Sequence, residues 1–265
     1  MSDILKDHNL YYFLINESFK KNRYASQVIV GDLNEQKLSE INGYILGHGN
    51  DDKYLYLITH DFNKTESWTL QKFGISESKE LNKVAENKIV FKTNRLPAFK
   101  FIIHGDYIYV YTKVNQNNSD QMIGNSDYYM YKFSKDTLEL VSEILLFKND
   151  DKKDDYILIS DKAVFIIENN IYIATKGGKV YRFNTLSYEF KEEFSLKDYT
   201  FTAKRNIKTH FNEKTNDISF IYNIDDKQKK YRIVVYDLEG NIKERLDFNK
   251  PKEIEGLVHS FIRIK

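Results

Sequence analysis

The chain repeats itself. Residues 98–112 (AFKFIIHGDYIYVYT) and 162–175 (KAVFIIENNIYIAT) each read as a strand, a tight polar turn and a second strand. A third strand follows in each case, Tyr129–Ser134 and Lys179–Asn184, and then a fourth, Glu139–Leu146 and Glu189–Leu196. The third-strand signature recurs more loosely at Val28–Asp32, Leu70–Gly74 and Ile233–Asp237. Each of these precedes a turn and a further run, Lys37–Ile41, Glu80–Val84 and Ile242–Phe248. The turn residues Asp32, Gly74, Ser134, Asn184 and Asp237 thus mark five copies. Short polar residues and glycine suit such turns. Period-two alternation of β-branched and aromatic residues runs through the copies, as half-buried strands require, and helical patterning is nearly absent.

Five four-stranded units in one chain predict an all-β fold, a β-propeller of five blades forming a single domain over residues 1–265. The average is 53 residues per unit, above the ~40–45 of a compact blade, and the surplus lies in loops. The first unit lacks an innermost strand, because its second-strand pattern begins at about Leu10. The run Leu257–Ile264 is expected to supply that strand and close the ring, which removes two exposed sheet edges. The alternative is six blades, with a degenerate one around Lys88–Phe91 or Tyr156–Ser160.

These repeats resemble the β-propeller superfamily over most of the chain. Gly178-Lys-Val-Tyr-Arg-Phe-Asn-Thr185 is similar to the third strand of quinoprotein-like propellers. No Trp-Asp pair ends a strand, no double glycine opens a blade, and Trp68 stands alone. The resemblance therefore implies a fold and no particular activity.

Composition narrows the function. Lys and Arg number 40 against 39 Asp and Glu, a formal net charge of +1. Such balance gives no global case for nucleic acid or an anionic membrane as partner. With no cysteine, disulfides, thiolate metal sites and thiol catalysis are excluded. No apolar run approaches the ~18 residues of a membrane span, and the first residues lack the pattern of a secretory leader. A cytoplasmic location is expected, or an extracytoplasmic one if a leader has been removed.

Three groups of residues could carry function. His48, His104 and His210 end an innermost strand or open the turn after it, and Glu168 takes the equivalent place in the fourth copy. Three imidazoles and a carboxylate are the ligand types of a Zn²⁺-like site. The stretch Val114–Asp127 is the longest insertion between paired strands, and long loops on a rigid scaffold are usual binding surfaces. In it, Met122 and Ile123 form an apolar pair amid polar neighbours such as Asn118 and Asp120. The tyrosines, among them Tyr107, Tyr109, Tyr111, Tyr129 and Tyr131, are expected on one face, packing blade on blade. Paired carboxylates of a glycosidase are hard to place, since the innermost strands carry almost none. No G-x-S-x-G elbow or phosphate loop is present.

The leading expectation is a non-enzymatic protein-binding module, such as an adaptor, a regulator or a toxin-neutralising immunity protein, with no cofactor named. The alternatives are a carbohydrate-binding or carbohydrate-processing propeller, and a metal-dependent enzyme using the His/Glu rim.

Overall fold

The computed structural model describes residues 2–5, 10–16, 25–61, 68–90, 99–115, 126–148, 163–175, 177–197, 207–212, 214–225 and 230–249. The chain divides into two compact units, Met1–Asp151 and Lys152–Lys265. Every regular element described is a β-strand, and every sheet has four strands paired antiparallel in chain order.

The first unit holds three sheets. Sheet 1 is β1 (Ser2–Leu5), β2 (Leu10–Asn16), β3 (Ala25–Gly31) and β4 (Gln36–Asn42). Sheet 2 is β5 (Tyr44–Asn50), β6 (Tyr54–His60), β7 (Trp68–Ile75) and β8 (Leu81–Ile89). Sheet 3 is β9 (Phe99–His104), β10 (Tyr107–Asn115), β11 (Ser126–Ser134) and β12 (Leu140–Phe147). The second unit holds two sheets. Sheet 4 is β13 (Val164–Ile167), β14 (Asn170–Ala174), β15 (Lys179–Asn184) and β16 (Phe190–Ser195). Sheet 5 is β17 (Ile207–Asn212), β18 (Asp217–Asp225), β19 (Lys230–Tyr236) and β20 (Ile242–Asn249). The five repeat copies are these five sheets.

Two expectations are corrected. Sheet 1 does not lack its first strand. Residues Ser2–Leu5 supply it, with Ser2 opposite Phe13 and Leu5 opposite Leu10. A four-residue strand is too short to show an alternating pattern, so the sequence does not reveal it. Leu257–Ile264 lies outside the described residues. Lys88 and Ile89, offered as part of a sixth blade, are the end of β8, opposite Thr69 and Trp68. The other candidate, 156–160, lies outside the described residues.

Within each unit the core lies between successive sheets. Tyr12, Val28 and Val30 of sheet 1 pack with Leu55, Leu57 and Phe73 of sheet 2. Tyr56, Trp68 and Leu70 of sheet 2 pack with Phe101, Val110 and Tyr131 of sheet 3. In the second unit, Phe194 and Val180 pack with Phe220, Val234 and Tyr236. Strands inside a sheet are therefore apolar on both faces, as in β6, where every residue from Leu55 to Thr59 is buried. The last strand of a sheet is far more open to solvent, as in β20, where every residue but Phe248 is exposed. This double-sided burial corrects the tyrosine reading. Residues opposite each other on neighbouring strands share a face. Tyr131 and Tyr129 oppose Val110 and Thr112, whereas Tyr109 and Tyr111 oppose Lys132 and Met130. The tyrosines of sheet 3 therefore divide between its two faces.

Candidate functional site

Antiparallel pairing in chain order gives each sheet two unlike ends. At one end lie the connections from first to second strand and from third to fourth. In the first unit none of these exceeds five residues. At the other end lie 17–24, 61–67, 90–98 and 116–125, of seven to ten residues, together with the single-residue junction Gly43. The pairs Val114–Asp127 and Asn115–Ser126 belong to the β10–β11 ladder, so the connection expected over Val114–Asp127 narrows to 116–125. Asn118, Asp120, Met122 and Ile123 lie outside the described residues. The ends of their segment are fixed at the long-connection end.

Glu168 and the candidate histidines His48, His104 and His210 lie towards the tight-turn ends of their own sheets, whereas His60 closes β6 at the long-connection end. His104 closes β9 and pairs with Tyr107. Glu168 follows β13 in the left-handed region, at φ 50°. His48 and His210 lie inside β5 and β17, opposite Leu57 and Ser219. His48 is held by its neighbour: its Nδ1 and the Tyr12 hydroxyl share a 3.0 Å hydrogen bond, and the two rings meet edge to face at 5.7 Å. The same hydroxyl lies 3.1 Å from Asn50 Oδ1. Among the described residues no group of three or more His, Asp or Glu is placed to hold a metal ion.

The tight turns are built on one plan. The backbone N–H of the first turn residue donates to the carbonyl of the last in Asp32–Glu35, Ser76–Glu80, Ser134–Glu139, Asn184–Glu189 and Asp237–Asn241. The side chain of the first residue also caps the turn. Asp32 Oδ1 accepts from the N–H groups of Asn34 and Glu35, Ser134 Oγ from Asp136 and Thr137, Asn184 Oδ1 from Leu186 and Ser187, and Asp237 Oδ1 from Glu239 and Asn241. These are Asx and Ser turns, the local chemistry that selects such residues. In sheet 2 the cap is Ser76, whose Oγ accepts from Glu80. Gly74, expected as the marker there, lies within β7 opposite Tyr54, because β7 runs on to Ile75.

These turns also fasten a sheet to the one before it. Lys79, in the sheet 2 turn, reaches Asp32 at 2.9 Å and Glu35 at 3.1 Å in the sheet 1 turn. Lys135, in the sheet 3 turn, reaches Asp51 of sheet 2 at 2.7 Å, while Lys72 and Asn87 of sheet 2 donate to the carbonyls of Lys135 and Leu138. In the second unit Gly240, in the sheet 5 turn, lies directly on Phe194 of sheet 4.

The electrostatics follow. The hydrogen bond from Lys79, with the Asn34 and Glu35 amides, lowers the Asp32 carboxyl to about 2, and Lys79 is raised in return, chiefly by Asp32. Burial works to raise Asp51, but Lys135 and the Lys53 and Tyr54 amides outweigh it and hold the carboxyl below its ordinary value. Burial, reinforced by Asp51, pushes the Tyr56 hydroxyl up.

A second recurrence was not singled out from the sequence. Lys72-Phe73, Lys132-Phe133 and Arg182-Phe183 occupy equivalent third-strand places, and the basic residue stands opposite Tyr56, Tyr109 and Tyr172 respectively. Lys72 Nζ sits 4.1 Å from the centre of the Tyr54 ring, and Lys132 Nζ 3.8 Å from that of Tyr107. Both lysines are buried. The ring faces attract the ammonium groups and so reduce the cost of burying them. The repeated basic–Phe pair was the signal.

A sequence model of one family, described as YycP, beta-propeller domain, matches residues 1–260 and so runs across both units. The chain belongs to the YycP β-propeller family. No curated protein matches this family member by sequence. Among solved structures, a variant of Synechocystis apocarotenoid oxygenase superposes on this YycP-type chain with a TM-score of 0.54 at 7% identity, covering 90% of the chain and 58% of the oxygenase. A cobalt-substituted form of that oxygenase gives 0.53 at 8% identity, with the same coverage. The β-propeller domain of the Trilobed protease from Pyrococcus furiosus, noted for its open velcro topology, gives 0.51 at 15% identity, covering 95% of the chain and 71% of that structure. The YycP-type chain spans less than three-fifths of the oxygenase, and at these identities the likeness concerns the fold alone. Among the described residues no helix is long and apolar enough to cross a membrane.

Proposed function

We propose that this five-bladed propeller of the YycP family is a non-enzymatic module that binds a protein partner through the long-connection end of its first unit. The observation that carries the reading is the asymmetry of the two ends. Every connection of seven residues or more in that unit leaves from one end, and the β10–β11 ladder brings nine paired residues up to the longest of them. A rigid ladder beneath a long loop is a common way to present a recognition surface.

In this reading Met122 and Ile123 are the apolar anchor, with Asn118 and Asp120 as its polar neighbours. The test is affinity capture from lysate of the source organism with the native protein and with Met122→Asp/Ile123→Asp. A stoichiometric protein captured by the first and lost by the second supports the reading. Equal capture by both removes the loop from it.

A further inference from the structure

The tight-turn end carries a separate feature. A cavity of about 310 Å³ opens between sheets 1 and 2, lined by Leu10, Asp32, Ile75, Ser76, Glu77 and Lys79. That volume is at the small end of ligand sites. Leu10 and Ile75 supply apolar surface, and Asp32, Ser76, Glu77 and Lys79 supply polar groups. Two of the polar groups are fixed in place. Asp32 is capped by two backbone amides and bridged by Lys79, and its carbonyl accepts from the Tyr11 hydroxyl at 2.7 Å. The Lys79 side chain is only 12% exposed, held between Asp32 and Glu35. It meets two carboxylates, Glu35 also lies 4.0 Å from Lys37, and Glu77 adds a third negative group in the lining. Three carboxylates stand against two lysines, so the site is net negative by one charge, with apolar surface beside it. Directly after Asp32 in the chain stands Leu33, 98% exposed at the tip of the capped turn.

We propose that this cavity receives the basic side chain, arginine or lysine, of a protein segment that lays a neighbouring apolar residue against Leu33. Charge complementarity selects the cation, the apolar surface accommodates its aliphatic stem, and Leu33 distinguishes a peptide from a free amine. The site lies at the end opposite to the 116–125 connection, so it stands or falls independently of the function proposed above.

The experiment is titration of the full chain, by NMR or calorimetry at low salt, with two probes: N-acetyl-leucyl-arginine amide and agmatine. The peptide is expected to bind several-fold more tightly than agmatine and to weaken as salt rises. Glu77→Gln should weaken both probes by about fivefold, the scale of an exposed charge pair. Leu33→Ser should bring the peptide down to the level of agmatine. Neither substitution removes a buried contact, and circular dichroism confirms that each variant is folded. The proposal is overturned if neither probe binds at 10 mM, on the order of a hundredfold above a useful affinity. It is also overturned if Glu77→Gln leaves both affinities unchanged, or if agmatine matches the peptide and Leu33→Ser has no effect, which would make the cavity a small-amine site.

Discussion

Gly240 rests against Phe194 so closely that a β-carbon on Gly240 would fall 2.5 Å from Phe194 Cβ and 2.7 Å from its Cγ. Gly240 is also left-handed, at φ 81°, a conformation that other L-residues adopt only at a cost. Two independent constraints thus select glycine where the sheet 5 turn meets sheet 4. Gly240→Ala is expected to destabilise the protein by about 2–4 kcal/mol, from strain and overpacking together. Urea unfolding measures it. Shrinking the neighbour in the same chain, Phe194→Leu with Gly240→Ala, should recover part of the loss, because only the overpacking is relieved.

The Asp32–Lys79 bridge predicts a pH dependence with a definite sign. Asp32 falls from 3.8 to about 2, so its stabilisation is complete above pH 3.8 and is lost as pH falls towards 2. Lys79 is raised above 10.5, so its share is complete below that pH and is lost as pH rises through the folded value. Native protein and Asp32→Asn should therefore differ in stability across the range between, and converge below about pH 2. Denaturant unfolding at a series of pH values checks this; a difference that persists undiminished at pH 2 would contradict the bridge.

The buried Lys72 predicts a measurable coupling. Its ammonium donates to the Lys135 carbonyl at 3.0 Å and lies over the Tyr54 ring. Lys72→Ala is expected to cost about 1–3 kcal/mol, since it leaves that carbonyl without its donor. A double-mutant cycle with Tyr54→Leu should return a coupling of about 0.5–2 kcal/mol. A coupling of zero would mean that the ring only fills space.

Tyr12 is buried, and its hydroxyl reaches across the seam from sheet 1 to both His48 and Asn50 of sheet 2. Tyr12→Phe keeps the ring and removes the link. A loss of about 1–2 kcal/mol is expected, together with a shift of the His48 ring resonances in NMR. Unmoved resonances would show that His48 is positioned by other contacts.

Most of the strand pattern was legible. The third and fourth strands expected at Lys179–Asn184 and Glu189–Leu196 are β15 and β16 to within a residue at either end. They could be read because alternation and turn chemistry are local properties, and Asn184 caps its turn with groups two and three residues away. Gly74 misled for the same reason: glycine is a turn residue in isolation, but its neighbours Lys72 and Phe73 are ordered by strand pairing. The ion pairs Lys79–Asp32 and Lys135–Asp51 were not legible. They join residues 47 and 84 positions apart, and such surface-rich charges have no pattern in one dimension.

The sequence by itself determined the five-fold repeat, the all-β class and the capping residue of four of the five turns, since all three follow from residue type and short-range spacing. Only the tertiary structure decided that Ser2–Leu5 completes the first sheet, that His48 and His104 lie away from the long-connection end of the first unit, and which lysine reaches which carboxylate. Those outcomes depend on which strand edge is left to pair and which surfaces meet when successive sheets pack. Many sequences with the same alternation could meet those conditions in different ways, so local patterning leaves them open.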